Sequence, residues 1–230
     1  DIYEAEMEAK GVPVSGINHY KKRYFIANRG SESPTISRFL FGDLMTEVCR
    51  ATLCDTAYLF LEQYVVNAAE VGTKFSWHQD SAYYGLDPHE EVTVWVALTP
   101  ATRGNGCMRV MPGSNNGPDL IHDETYDPEN LLARGQSIHG LDDSKAVYME
   151  LQAGEFSMHH ERTAHSSLAN ESDGPRVGVA YFYMPAHVRS TIGRRSALLV
   201  RGTDHHSHWD ADPLPKEDLD ADSKSIHKNK

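Results

Sequence analysis

The run Trp77-His78-Gln79-Asp80 holds an imidazole and a carboxylate two residues apart. On an extended segment, side chains two apart share a face, so a ring nitrogen and a carboxylate oxygen can converge on one ion. An HxD pair by itself is more often a surface hydrogen bond. A metal site needs a second imidazole, and Glu155-Phe156-Ser157-Met158-His159-His160-Glu161-Arg162-Thr163-Ala164-His165 offers three. Two histidines and one carboxylate hold three positions of an ion and leave the others open, the ligand set of non-haem ferrous iron. A structural zinc site would more often use four protein ligands, thiolates among them. Cys49, Cys54 and Cys107 are not spaced for that and read as buried reduced thiols.

Strands must hold these groups. From Ala57 the texture is β-like, with AYLFLEQYVV, VTVWVAL, CMRVM, AVYMEL, EFSMHH and RVGVAYFYM separated by turn-rich PATRGNG and PGSNNGPD. In VTVWVAL, Val92, Val94, Val96 and Leu98 share one face. Many short strands without long helices between them predict a mainly β fold, a jelly-roll barrel with flanking helices packed outside. The N-terminal third predicts helices over IYEAEMEAK, closing at Gly11, and over TISRFLFGDLMTEVCRATL, with Ser33 as N-cap and Pro34 in the first turn. The second has Ile36, Phe39, Leu40, Leu44 and Val48 at helical spacing. DPENLLARG, near 127–135, reads as one short inserted helix. Residues 1–203 are expected to form a single domain with its catalytic core at about 57–185, and 204–230 a charged tail that wraps or frays.

Composition narrows the classes. A chain of 230 residues suits one β domain, and 22 Lys and Arg against 33 Asp and Glu give a net charge of −11. That charge disfavours a surface that tracks nucleic-acid phosphates. No apolar run approaches the roughly 18 residues of a membrane helix. DIYEAEMEAK carries no signal segment, and three unpaired cysteines fit a cytoplasmic protein. The 13 histidines are a surplus that needs explaining.

The order HQD, then WVALTPATRGNGCMRVMPGSN, then AGEFSMHHERTAHSSLANESDGPR resembles the phytanoyl-CoA dioxygenase-like group of iron(II)- and 2-oxoglutarate-dependent oxygenases, over about residues 57–185. SAYYGL, HHERTAH and HVRSTIGRRSALLVRG resemble its bacterial small-molecule hydroxylases. The resemblance implies a double-stranded β-helix of cupin-like jelly-roll type, with Fe(II), 2-oxoglutarate and dioxygen as cofactor and co-substrates. His78, Asp80 and His165 would ligate the iron. Arg176, eleven residues past His165, would grip the C5 carboxylate of 2-oxoglutarate with its planar fork of donors. Trp95 matches an aromatic near the co-substrate, and Ser167 and Gln63 are lesser contacts. Halogenating relatives carry a small residue in place of the carboxylate, so Asp80 implies hydroxylation.

For the substrate, the resemblance suggests a small polar or zwitterionic molecule, foremost an organophosphonate such as 2-aminoethylphosphonate. Arg162, Arg103 or Lys74 would then meet the anion, Tyr83 and Tyr84 would cap the ammonium, and Asn105 borders the same mouth. Other readings are a hydroxylase of an amino acid, an ectoine-like metabolite or an acyl-CoA, a non-catalytic metal-binding β-barrel, and a zinc hydrolase with Glu161 as base. Of the remaining histidines, His160 is expected to support the ligands or sit in the core, not to ligate. His122, His139, His187 and the His205-His206-Ser207-His208 run are expected at the surface.

Overall fold

Strict alternation along a few strands builds the molecule. The computed structural model describes residues 25–27, 30, 33–69, 72–214 and 216. The helix expected over IYEAEMEAK lies outside them. In chain order, β1 (Phe25–Ala27) precedes helices α1 (Pro34–Leu40) and α2 (Asp43–Thr52), then β2 (Ala57–Asn67) and β3 (Phe75–His78). A one-turn helix α3 (Ser81–Tyr84) leads to β4 (Leu86–Asp87), β5 (Val92–Ala97), β6 (Met108–Val110), β7 (Asp123–Glu124), β8 (Gln136–Ser137) and β9 (Val147–Tyr148). The last described strands are β10 (Phe156–His160), β11 (His165–Ser167), β12 (Arg176–Pro185), β13 (Arg189–Ser190), β14 (Ser196–Arg201) and β15 (Asp210–Ala211).

Seven strands form one sheet in the order β10-β5-β12-β2-β14-β15, with β1 also on β2, and four form a second in the order β3-β11-β6-β9. This is the expected mainly β jelly roll. On β12 the odd residues Val179, Tyr181 and Tyr183 join Val94, Val96, Leu59 and the helical residues Leu40, Met45 and Cys49 in one apolar cluster. The even residues Ala180, Phe182 and Met184 turn the other way, into a cluster with Phe60, Trp95 and Ala97. Both faces of the large sheet are therefore buried, one under the helices and one inside the barrel. A third cluster, Trp77, Met111, Ile138 and Ala164, packs on the smaller sheet.

Two expectations need correction. The single helix from Pro34 onward is two, because the chain leaves the helix at Phe41 and Gly42, and the restart shifts the buried face. Met45 and Cys49 are buried in α2, while Leu44 is 55% exposed, as is Phe39 at 41% in α1. Residues 127–135 form turns and a short 3-10 segment with Arg134 at positive φ, not a helix. Of the tail expected to wrap or fray, the part around Trp209 wraps: Trp209 is buried, its indole N–H donates to the Val188 carbonyl at 2.7 Å, and β15 pairs with β14.

Candidate metal and anion site

The two sheets bring the chemistry together from opposite walls. β11 pairs with β3 so that His165 lies directly opposite His78, and the two rings stand 4.0 Å apart between centroids. Asp80 follows His78 at the mouth of α3, where the backbone has already turned into the right-handed helical region. His78, Asp80 and His165 are all buried, and their ligand-capable atoms lie within 4.8 Å of one another, the one such group among the described residues.

Backbone carbonyls fix both tautomers. His78 Nδ1 is 2.8 Å from the Ser76 oxygen and His165 Nδ1 is 2.9 Å from the Thr163 oxygen. A carbonyl only accepts, so each Nδ1 carries the proton and each Nε2 presents a lone pair. Those Nε2 atoms face one carboxylate oxygen, Asp80 Oδ1, at 3.9 and 4.0 Å. Burial lowers the His78 pKa and, together with the neighbouring His78, pushes His165 down to about 3, so the imidazoles are neutral. Burial by itself would raise the Asp80 carboxyl, but His165, His159 and His78 around it hold it well below the usual range. A pair of neutral imidazoles beside an ionised carboxylate is a donor set that fits a divalent transition metal.

Gln79 pins the motif from behind. Its side-chain amide donates to the Arg162 carbonyl at 2.7 Å and accepts from Leu120 N–H at 2.7 Å, while its backbone N–H donates to His122 Nε2 at 2.9 Å. His122 is thus half-buried and structural, not the surface residue expected. His160 is not a ligand and has a structural role apart from the triad: it faces away from it, donating from Nε2 to the His89 carbonyl and accepting the Arg162 N–H at Nδ1. Its neighbour His159 is the one that turns inward. Alternation on β10 guarantees that only one of the two can do so, and the pairing of His159 with Thr93 decides which.

The triad opens into a cavity of about 270 Å³. Its walls include Arg176, Trp95, Gln63 and Ser167, together with Tyr83 and Tyr84. Arg176 is 2% exposed, its Nε has no hydrogen-bond partner, and among the described residues no carboxylate pairs with it. Burial lowers its pKa to about 10, still far above neutrality, so the guanidinium stays charged. Its carbon lies 5.4 Å from the Trp95 ring centroid, a cation–π contact that only partly offsets lost hydration. Trp95 itself lies across Gly178, where an added Cβ would come within 2.1 Å of the indole.

Four expected substrate residues are elsewhere. Arg162 is paired with Asp119 at 3.0 Å, Lys74 with Asp127 at 3.1 Å, and Arg103 with Glu150 at 3.3 Å, and none of them lines the cavity. Asn105 builds a turn, accepting Thr102 N–H and donating to the Pro100 carbonyl, ahead of Gly106 at φ 73°. Glu161, the base a hydrolase would need, is also absent from the cavity wall: its carboxyl accepts Glu91 N–H at 3.3 Å and faces His89 Nδ1 at 3.3 Å.

The sequence profile of the family described as phytanoyl-CoA dioxygenase (PhyH) matches residues 5–178, well over half of the chain. The chain belongs to this family. Among PhyH relatives, the probable phytanoyl-CoA dioxygenase of Caenorhabditis elegans is 29% identical over 111 residues, 46% of this chain and 35% of that protein. The peroxisomal phytanoyl-CoA dioxygenase of Bos taurus is 28% identical over 112 residues, 48% of this chain and 33% of that one. The chain spans between a third and about half the length of these curated relatives. Among solved structures, the apo form of the non-heme monooxygenase ThoJ superposes with a TM-score of 0.82 at 29% identity, covering 99% of this chain and 82% of that one. The epimerase SnoN, solved with Fe3+, alpha ketoglutarate and nogalamycin RO, shares the fold with a TM-score of 0.59 at 23% identity, covering 72% and 64%. These PhyH and oxygenase neighbours agree with the jelly-roll architecture.

Proposed function

We propose that this PhyH-family chain is an Fe(II)- and 2-oxoglutarate-dependent dioxygenase that hydroxylates a C–H bond of a small molecule. The observation that carries the reading is Arg176: a buried, charged guanidinium, unpaired among the described residues, facing the same cavity as two neutral imidazoles and a carboxylate. An unpaired buried cation is strongly unfavourable, so the site is made for a small anion that arrives from solution. In this reading His78 Nε2, Asp80 and His165 Nε2 hold the ferrous ion, and Arg176 takes the far carboxylate of 2-oxoglutarate in a bidentate contact. Trp95 lies against the guanidinium and keeps its fork in place. Ser167 and Gln63 line the same wall and offer hydrogen bonds to the co-substrate. Bound iron supplies dioxygen activation coupled to oxidative decarboxylation of the 2-oxo acid. The chain's part is to hold the two partners in register and keep water out.

The walls also bear on the substrate. Phe25, Phe75, Leu61, Val65, Leu131, Leu132 and Phe182 are apolar, and Arg176 is the single Arg or Lys among the described residues that line the cavity. If Arg176 holds the co-substrate, a phosphonate finds no second cation among the described lining residues, because Arg162, Arg103 and Lys74 are paired outside. We therefore replace the zwitterion with a substrate that presents an apolar surface, its polar group meeting the Tyr83 hydroxyl, which is buried without a partner. The test is a screen of apolar and phosphonate compounds read by succinate formation under air. Succinate that depends on Fe(II), dioxygen and an apolar compound supports the reading. Turnover of 2-aminoethylphosphonate would overturn the substrate class, and turnover without dioxygen the reaction class.

A further inference from the structure

His159 has no place in the triad, yet the fold buries it there. It is 9% exposed, lines the cavity, and its ring centroid lies 4.7 Å from that of His165. Among the described residues, neither ring nitrogen has a hydrogen-bond partner. Leaving a buried polar group unsatisfied costs about 1–3 kcal/mol, so the position is unfavourable for stability alone. A leucine of similar bulk would pack the same space without that penalty.

The two oxygens of Asp80 face different neighbours. Oδ1 faces His78 Nε2 at 3.9 Å and His165 Nε2 at 4.0 Å, whereas Oδ2 faces His159 Nε2 at 3.8 Å. His159 is also outside the group of His78, Asp80 and His165, whose donor atoms are all mutually close. It stands beside the ligand set, next to His165 and against the carboxylate's other oxygen. Closing a 3.8 Å separation to a hydrogen bond takes only a small side-chain rotation, and active-site hydrogen bonds are commonly long before the site is filled.

We propose that His159 is a positioning residue: its Nε2–H donates to Asp80 Oδ2, so that the carboxylate offers the metal Oδ1 alone. The inference rests on the reading that the triad holds a metal. Its consequence is a count of open positions. Two imidazoles and one carboxylate oxygen leave three sites on an octahedral ion, two for a chelating 2-oxo acid and one more. A carboxylate bound through both oxygens would leave only two. His159 would thereby keep the third site open without touching the metal.

The experiment uses the full chain with Co(II) as the probe, in the wild type, His159→Gln and His159→Leu. Co(II) is titrated by calorimetry and by its visible d–d bands, and 2-oxoglutarate is then titrated into each Co(II)-loaded protein. His159→Gln retains an N–H donor and should keep the wild-type spectrum and 2-oxoglutarate affinity. His159→Leu should change the spectrum and weaken metal or 2-oxoglutarate binding by about 10–100-fold. Binding constants and spectra of His159→Leu that match the wild type overturn this inference and leave the metal site standing. A wild-type chain that takes up no Co(II) overturns the metal reading first. Should His159→Leu fail to fold, nitrogen NMR of the Zn(II)-loaded wild type decides. Protonated Nε2 on His159, beside metal-shifted Nε2 on His78 and His165, supports the proposal, and a metal-shifted His159 overturns it.

Discussion

At the scale of single residues, the site trades stability for binding. Arg176 is charged, buried and unpaired, and such a group destabilises the protein that carries it. Arg176→Met keeps the bulk and removes the charge. It should therefore leave the melting temperature of the ligand-free protein unchanged or higher, and weaken 2-oxoglutarate binding. The loss of a charge-assisted contact of about 1.5–3 kcal/mol corresponds to roughly 10–150-fold. Calorimetric titration and thermal unfolding measure the two effects on one sample, and a large fall in melting temperature would mean that Arg176 supports the fold instead. Asp80→Ala and His165→Ala should each abolish turnover and metal uptake while far-UV circular dichroism stays native. Full residual activity in either variant would sink the assignment. The HxD pair and the need for a distant His were legible from ligand chemistry, whereas His165 and Arg176, eleven positions on, were picked out by the family resemblance. His159 and His160 were not separable that way. Which of two adjacent strand residues faces inward depends on register with β5, a non-local property.

At the scale of elements, β12 decides how Trp95 and Arg176 meet. Arg176, Gly178, Ala180 and Phe182 alternate along one strand, and Gly178 makes room for the indole from β5. Gly178→Ala would put a methyl where the Trp95 ring lies, so the ring must shift or the strands must part. Overpacking of this kind typically costs about 1–3 kcal/mol. The expected outcome is a lower urea midpoint together with weaker 2-oxoglutarate binding and unchanged metal affinity, since β3 and β11 hold the triad separately. An equal loss of metal and 2-oxoglutarate binding would show that the two walls are not independent. The strand texture was readable because period-two runs of Val, Tyr and Phe survive in the sequence as written. The helical layer was readable only in part. The apolar spacing carried straight through Phe41-Gly42, but the break there reset the phase: Met45 and Cys49 are buried, Val48 packs only partly against the core, and Leu44 is exposed. Gln79 escaped notice because its three bonds reach Leu120, His122 and Arg162, which lie far apart in the chain.

At the scale of the whole molecule, ligands would bridge the two sheets. The smaller sheet supplies His78 and His165 from β3 and β11, and the larger supplies Trp95 and Arg176 from β5 and β12. A 2-oxo acid chelated at one wall and gripped at the other ties them together, and any ligand that binds only the folded state adds RT ln(1 + [L]/Kd) to stability. At a free concentration of one hundred times Kd that is about 2.7 kcal/mol. For a domain of this size it corresponds to a rise of roughly 5–10 °C. Metal alone engages only the smaller sheet and Asp80, so it should give its own increment, and 2-oxoglutarate should add a second only when metal is present. In Arg176→Met the metal increment should remain and the second should largely vanish. Scanning calorimetry of the four ligand states of both proteins separates these contributions. A 2-oxoglutarate increment that persists in Arg176→Met, or that appears without metal, would place the co-substrate somewhere other than across the sheets.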